Sequence, residues 1–307
     1  MAKVVTRFAP SPTGPLHLGH AYAAMVAHDL ARQSGGRFLL RIEDIDRSRA
    51  RPEWEQAICD DLKWLGLGWD GPVMRQSDRL PAYAAALDQL WRDDLLYPCT
   101  CSRRDIAEAM SAPQEGVTLG PDGPVYPGTC ATKDWPEFDH HAKSRFPRPE
   151  EYSLRLCMRL AADRTTEPQV GDPAKPGHRP IGFLETGHGP DGERAWVETP
   201  DIALTEAIGD VVLSRRDMGT SYHLAVVLDD AAQGITHVTR GADLFEATRI
   251  HVVLQRLLGL PSPIYHHHRL IRDELGRRLA KRDDARALAK YRAEGASPAD
   301  IRAMVGL

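Results

Sequence analysis

Apolar positions recur along this chain with two different periods. Lys3 to Phe8 forms a short apolar run that reads as a buried strand. It ends in Ala9-Pro10-Ser11-Pro12-Thr13-Gly14-Pro15, where neither helix nor ladder pairing can continue. From Leu18 to about Gln33 alanine and leucine return at helical spacing, and Ser34-Gly35-Gly36 stops them. Arg37 to Glu43 reads as a second strand. Strand, helix, strand in that order predicts a parallel βαβ unit. Two more helical stretches follow, Pro52 to Leu65 and Leu80 to Leu95.

The character changes between Tyr97 and Pro200, which is rich in Pro and Gly and has few periodic stretches. The segment reads as an insertion between two halves of a parallel sheet. Within it, Gly171 to Arg194 is expected to be an exposed loop, since little there can bury a core. Regular structure resumes at Asp210. Val211-Val212-Leu213, Tyr222 to Leu228 and Ile235 to Arg240 are predicted strands, and Leu244 to Leu258 is a predicted amphipathic helix ending at Gly259. The class is α/β, with divisions expected at residues 1–96, 97–200, 201–245 and 246–307.

Charge and cysteine use narrow the possibilities. The 307 residues carry 39 Lys or Arg against 43 Asp or Glu, a formal charge of −4. The total does not mark a strongly basic nucleic-acid binder, so any RNA contact needs a local patch. Arg269 to Arg292 is the candidate patch, with nine basic residues and four acidic ones. Five cysteines in a long chain argue against a disulfide framework. The sequence lacks an apolar run of about 18 residues, and its start lacks a signal-peptide core. The expectation is a cytoplasmic protein that meets no membrane and acts as a monomer.

Two clusters carry candidate chemistry. His17-Leu18-Gly19-His20 falls where the first strand meets its helix, so imidazoles and helix N–H groups can meet an anion, and Gly19 lets a nucleotide lie close to the backbone. Chance spacing, or a metal, is the other reading of two histidines there. Cys99, Cys101 and Cys130 have a C-x-C plus distant-Cys spacing that suits zinc. Free buried thiols are the plain alternative.

Five ordered blocks resemble one family. RFAPSPTGPLHLGH (Arg7 to His20), RIEDIDR (Arg41 to Arg47), YHLAVVLDD (Tyr222 to Asp230), GITHVTRGADLF (Gly234 to Phe245) and RLAKR (Arg278 to Arg282) are similar to signatures of the class I glutamyl-tRNA synthetases. The resemblance covers most of the chain outside Ala131 to Pro200. It implies a Rossmann-like parallel sheet with an inserted zinc-bearing subdomain and a C-terminal helical segment. It implies ATP bound by His17, Gly19, His20 and Lys281, with Mg2+ accompanying it on phosphates and water, and with His17, His20 and Lys281 stabilising the transition state. It implies L-glutamate against Arg7, Phe8, Ala9, Pro10, Ser11, Glu43, Tyr222 and Arg240, without saying which arginine takes which carboxylate. For Arg7 and Arg240 an internal salt bridge with Glu43 or Asp243 is the competing reading. The family's C-x-C…Y-x3-C pattern implies one structural Zn2+ on Cys99, Cys101, Tyr126 and Cys130, with water, His140 or His141 as other fourth ligands. The RLAKR block departs from the family's KMSKS loop: Arg278 replaces the first lysine and Ala280 the serine.

The chain ends 25 residues beyond Arg282, where discriminating members of the family continue into an anticodon-binding domain. It therefore resembles the short members that activate glutamate without tRNA and attach it to queuosine in the anticodon loop of tRNA(Asp). A truncated enzyme charging the tRNA 3′ end, a non-catalytic binding module, and a nucleotidyltransferase acting on another acid remain the alternatives.

Overall fold

In a computed structural model the described residues are 3–110, 118–132, 146–166, 180–272 and 286–307. The first unit is β1 (Val5–Phe8), α1 (Leu18–Gln33) and β2 (Arg37–Ile42), followed by α2 (Pro52–Trp64), the short β3 (Met74–Arg75) and α3 (Leu80–Arg92). The middle of the chain contributes β4 (Leu96–Cys99), α4 (Arg103–Met110), the hairpin β5 (Leu119–Gly120) and β6 (Gly123–Pro124), then β7 (Ser153–Leu156), α5 (Met158–Thr166), β8 (Gly182–Glu185) and β9 (Ala195–Glu198). A π-helical turn at Ala203–Ile208 leads to β10 (Val212–Ser214) and α6 (Tyr222–Gln233). β11 (His237–Gly241), α7 (Ala247–Leu257), β12 (Ile264–His268), α8 (Leu288–Ala293) and α9 (Pro298–Val305) complete it.

β1, β2 and β3 pair in parallel, and so do β11, β12 and β8, with β9 as an antiparallel edge. The two halves meet where β1 runs beside β11. There the Thr236 N–H donates to Val5 O at 3.0 Å and the Val5 N–H to Thr236 Oγ1 at 2.8 Å. Strands covered on both faces read as continuous apolar runs, and β2 is buried from Phe38 through Ile42. Its side chains alternate between the two cores. Phe38, Leu40 and Ile42 join α1, α2 and α9, while Leu39 joins α3, α6 and α7 on the other face. β4, β7 and β10 form a separate antiparallel sheet.

Local chemistry sets the element ends. His17 is extended (φ −127°) and caps α1, and Ser297 and Asp300 cap α9 reciprocally. The turn after α1 brings the chain against β1 so closely that a Cβ on Gly36 would lie 1.8 Å from Val4 O.

Three expectations fail. Tyr222 to Leu228 is the start of α6 and not a strand: a short apolar run suits either form, and the Ser221 hydroxyl, accepting from the Leu224 N–H, caps a helix. Gly171 to Arg194 is not simply an exposed loop. Residues 171–179 lie outside the described residues, but β8 is a buried strand whose Phe183 ring meets Phe245 and Tyr265 edge-on at 5.4 and 5.3 Å. The sheet also crosses the expected divisions, because β8 comes from the span assigned to the insertion and β12 from the span assigned to the C-terminal segment. Parallel pairing over such distances leaves no local periodic mark.

α3 and α6 are joined through one buried carboxylate. Asp229 accepts from Gln76 Nε2 (2.9 Å), Arg79 Nε (2.7 Å) and the Tyr83 hydroxyl (2.8 Å). Removing it leaves three donors without their acceptor. Asp229→Ala is expected to cost on the order of 3 kcal/mol, read as a lower denaturant midpoint at unchanged m-value.

Candidate functional site

A cleft of about 600 Å³ opens at the C-terminal ends of β1, β11 and β12. Ligands of open parallel sheets bind beyond the strand C-termini. Arg7 to Ser11, His17, Gly19, His20, Glu43, Tyr222 and Arg240 all line it. The structure thus brings together every expected site residue of the nucleotide and amino-acid groups except Lys281. RLAKR, with Lys281, lies outside the described residues. The chain on either side of it borders the site: His268 to Ile271 form part of the wall, and Ala287 pairs with His17.

At the helix end, His17 and His20 form a reciprocal cap. His17 Nδ1 accepts the Gly19 N–H (3.1 Å) and His20 Nδ1 accepts the His17 N–H (3.2 Å). Each Nδ1 is therefore an acceptor, which puts the neutral ring's proton on Nε2. The rings lie 3.8 Å apart. A Cβ on Gly19 would sit 3.0 Å from the His17 ring, so glycine lets the imidazole fold over the first turn.

The floor is charged. Arg7 donates from Nε to Asp230 (2.9 Å) and from Nη1 to Thr239 O (3.1 Å). Arg41, fully buried, donates to the same Asp230 oxygen (2.6 Å), to Gln233 (3.0 Å) and to Glu43 (3.3 Å). Arg7 does sit in an internal ion pair, but its partner is Asp230 and not Glu43. Burial disfavours charge on Asp230, yet the Arg7 and Arg41 guanidiniums outweigh it and hold the carboxyl below its ordinary value of 3.8. Glu43 goes the other way: burial pushes its carboxyl up, against the pull of Arg41 and Arg7.

Arg240 differs from both. Its Nε donates to His267 Nε2 (3.1 Å), its Nη1 to His251 Nδ1 (2.9 Å), and its Nη2 to Thr248 Oγ1. Among the described residues no carboxylate pairs with it, so neither Glu43 nor Asp243 takes the role the salt-bridge reading gave it. Burial lowers the pKa of both rings, well below the ordinary 6.5 for His251, where Arg240 adds to the effect. Burial also raises the Tyr222 phenol.

Away from the cleft, Cys99, Cys101 and Cys130 place their sulfurs within 4.8 Å of one another. Cys101 and Cys130 Sγ are 3.5 Å apart, and the Tyr126 hydroxyl lies 3.6 Å from Cys99 Sγ and 3.3 Å from Cys101 Sγ. Sulfurs on a tetrahedral zinc, each about 2.3 Å from it, are of that order apart, so the set fits a metal. Arg155 lies 3.6 Å over the Tyr126 ring and its Nε meets Cys99 Sγ at 3.3 Å, a cation suited to a cluster of anionic ligands. Burial opposes ionisation of Cys130, but hydrogen bonds led by Tyr126 bring its thiol down to about 7, whereas burial pushes Cys101 up to about 11. His140 and His141 lie outside the described residues. Cys59 and Cys157 are half-buried and outside the ligand group, although Cys157 packs against the cluster that holds Cys99, Tyr126 and Cys130.

The catalytic-domain profile of the tRNA synthetases class I (E and Q) matches residues 3–173 and 199–307. The chain is 64% identical over 308 residues to a glutamyl-Q tRNA(Asp) synthetase of Rhodobacter capsulatus, covering 99% of this chain and 100% of the relative. The chain belongs to this family of class I synthetases. A second glutamyl-Q tRNA(Asp) synthetase, from Geobacter sulfurreducens, is 40% identical over 94% of this chain and 79% of its own. Among solved structures, a glutamate tRNA ligase of Elizabethkingia meningosepticum, in complex with its amino acid, superposes with a TM-score of 0.72 at 27% identity. It covers 99% of this chain, which spans 60% of that ligase's length. A methionyl-tRNA synthetase of Mycobacterium tuberculosis shares the fold alone, at TM-score 0.58 and 11% identity. The family is one of ligases with an α/β, parallel-sheet catalytic domain.

Sequence reading missed Asp230 and Arg41 as anchors of the floor, although both stand inside quoted blocks. It also passed over His251 and His267, which are 2% and 1% exposed. No helix among the described residues is long and apolar enough to cross a membrane.

The Asp230 pair has a pH signature. A carboxyl depressed in the folded state stabilises above its unfolded pKa, and that stability is lost as pH falls through the folded value. Asp230→Asn is therefore expected to be less stable than the unaltered protein at pH 7 by on the order of 3 kcal/mol. The gap should narrow only below the ordinary value of 3.8. Denaturant midpoints from pH 7 to pH 3 read both.

Proposed function

We propose that this enzyme activates L-glutamate with ATP and transfers it to the queuosine base at the wobble position of tRNA(Asp). The observation that carries the reading is Arg240: a buried cation in the cleft that holds neutral partners where a carboxylate would be expected. A ligand bearing a carboxylate completes its charge. Arg7 offers a second guanidinium, and Glu43 an acceptor for the substrate ammonium, whose charge would favour the ionised carboxyl that burial disfavours. Backbone from Phe8 to Pro10, with Ser11 and Tyr222, borders the same space.

The substrate α-carboxylate oxygen attacks the α-phosphorus of ATP. The bond to the bridging oxygen breaks, and glutamyl-adenylate and pyrophosphate form. His17 and His20 serve as Nε2–H donors to the phosphates, beside the N–H groups that begin α1. Lys281 is assigned the neutralisation of the leaving pyrophosphate, on a segment joined to the site at both ends. Mg2+ arrives with ATP, held mainly by phosphate oxygens and water. A hydroxyl of queuosine then attacks the mixed anhydride, AMP leaves, and an ester results.

A wider chamber of about 810 Å³ adjoins the cleft and shares Ser11, Glu43 and Tyr222 with it. Arg49, Arg103 and Arg215 on its walls suit a nucleic-acid acceptor. The names of the relatives support the choice of acceptor. Most of the basic stretch Arg269 to Arg292 lies outside the described residues, so its part rests on its charge alone.

The first test is ATP–pyrophosphate exchange with glutamate and no RNA. Exchange is expected, and His20→Ala should lower it about 10²- to 10³-fold. Arg7→Ala should abolish glutamate activation while ATP binding stays measurable. Exchange that appears only with tRNA(Glu), with label on the 3′ end, would replace this reading by the truncated-synthetase one. No exchange under either condition would leave a non-catalytic module.

We further infer that Cys99, Cys101, Cys130 and Tyr126 hold one structural Zn2+. Metal analysis of the natively purified protein should give close to one zinc per chain. Cys101→Ser should lower that content and the melting temperature together, and near-zero zinc in the unaltered protein would remove the assignment.

A further inference from the structure

The hydrogen bonds around Arg240 can run in only one direction. Guanidinium nitrogens only donate. The Nη1 bond to His251 therefore makes His251 Nδ1 an acceptor, and puts that neutral ring's proton on Nε2. His251 Nε2 faces His223 Nδ1 at 3.0 Å, so His223 accepts there and carries its own proton on Nε2. His223 Nε2 then donates to the Asp122 carboxylate, at 2.9 and 3.0 Å from its two oxygens. A second chain starts at Nε. His267 Nε2 accepts from it at 3.1 Å, so His267 carries its proton on Nδ1 and donates to Glu185 Oε2 at 2.5 Å. The other Glu185 oxygen accepts the N–H groups of Gly187 (2.6 Å) and His267 (3.0 Å).

Each chain thus ends on a carboxylate that does not line the amino-acid cleft. Glu185 has a fully buried side chain on β8, the strand paired with β12, and Asp122 stands at the half-exposed tip of the β5–β6 hairpin. Reversing either chain would set an imidazole N–H against a guanidinium N–H. A carboxylate in direct contact with Arg240 would orient it equally well, but would cancel the charge that an anionic ligand needs. Carboxylates set one and two rings away orient the guanidinium and leave that charge uncancelled.

We propose that Glu185 and Asp122 are positioning residues for amino-acid recognition, each fixing a neutral histidine acceptor that orients Arg240 toward a substrate carboxylate. This rests on the assignment of Arg240 to glutamate made above. The Asp122 chain also ties the amino-acid site to the inserted hairpin, so the position of the insertion bears on how tightly glutamate is held.

The test compares the glutamate KM, the ATP KM and kcat in pyrophosphate exchange, with calorimetric glutamate binding, for the full chain and three variants. In Glu185→Gln the shape is kept, and the amide oxygen can still accept the two backbone N–H groups. The amide NH2 then faces His267 Nδ1 and drives the ring proton to Nε2, against Arg240 Nε–H. The glutamate KM is expected to rise about tenfold or more, with the ATP KM unchanged. Asp122→Ala, at a half-exposed position, should raise the glutamate KM several-fold and leave kcat and the ATP KM alone. Asp122→Asn should restore it, because its carbonyl accepts from His223 Nε2. Glutamate binding by the unaltered protein that is equally tight in Glu185→Gln and Asp122→Ala would overturn this inference and leave the proposed function standing. Equal losses for ATP and glutamate, with a lower melting temperature, would mark a merely structural role and also overturn it. Absence of glutamate binding in the unaltered protein would overturn the proposed function, and the inference with it.

Discussion

Arg7 and Arg41 stand on neighbouring parallel strands, and both guanidiniums reach one oxygen of Asp230 on α6. Two buried cations cannot sit side by side without an anion between them. Asp230 supplies it and so fixes β1, β2 and the start of the second half of the fold in one arrangement. The rest of the site depends on this. β1 carries Arg7 and leads into Ala9 to Pro15, and that turn places His17 at the head of α1. α6 carries Asp230 near one end and Tyr222 at the other, so the same helix anchors the floor and walls the cleft. Glu43 follows β2 directly and completes a group of two cations and two acids whose fourth member, with its raised pKa, is the easiest to discharge.

Much of this was legible in the sequence because it is local. A strand, a proline-rich turn and a capped helix each leave marks within a few residues, and α1 was readable from its start at Leu18 to an end near Gln33. The blocks around Arg7, Glu43, Tyr222 and Arg240 pointed to one cleft, and the structure brings them into it. What stayed hidden was partnership over distance. Asp230 could be read in YHLAVVLDD, but that it faces Arg7 and Arg41 depends on parallel pairing across more than half the chain. Tyr222 to Leu228 failed for a different reason. An apolar run of that length satisfies both periods, and it is the caps, Ser221 at the start and left-handed Gly234 (φ +64°) at the end, that favour the helix. β8 failed because a four-residue strand among prolines and glycines shows no alternation long enough to count.

The cysteine cluster and the cleft obey different physics. The cleft is built from buried ion pairs and oriented dipoles, which need a stiff frame on all sides. Around Cys99, Cys101 and Cys130 the apolar packing among the described residues is sparse, with Tyr97 and Tyr126 as the large buried partners. A small core of that kind needs another source of order. Arg155, on β7, holds the cluster in place: it stacks on Tyr126, meets Cys99, and donates to Asp210 O at the entry to β10. The cluster is therefore braced against the antiparallel sheet β4-β7-β10.

β12 has one further consequence. His267, its next-to-last residue, accepts from Arg240, while His268 and the next three residues wall the cleft on the way to the segment that bears Lys281. A single strand thus touches both the Arg240 group and the wall of the cleft. Under the proposed reaction, a shift of this strand that improves the grip on one substrate alters the grip on the other. Linkage makes such an effect mutual: the free energy by which bound ATP changes glutamate affinity equals that by which bound glutamate changes ATP affinity. Synergy between the two small substrates would then be a property of one strand's register against its neighbour.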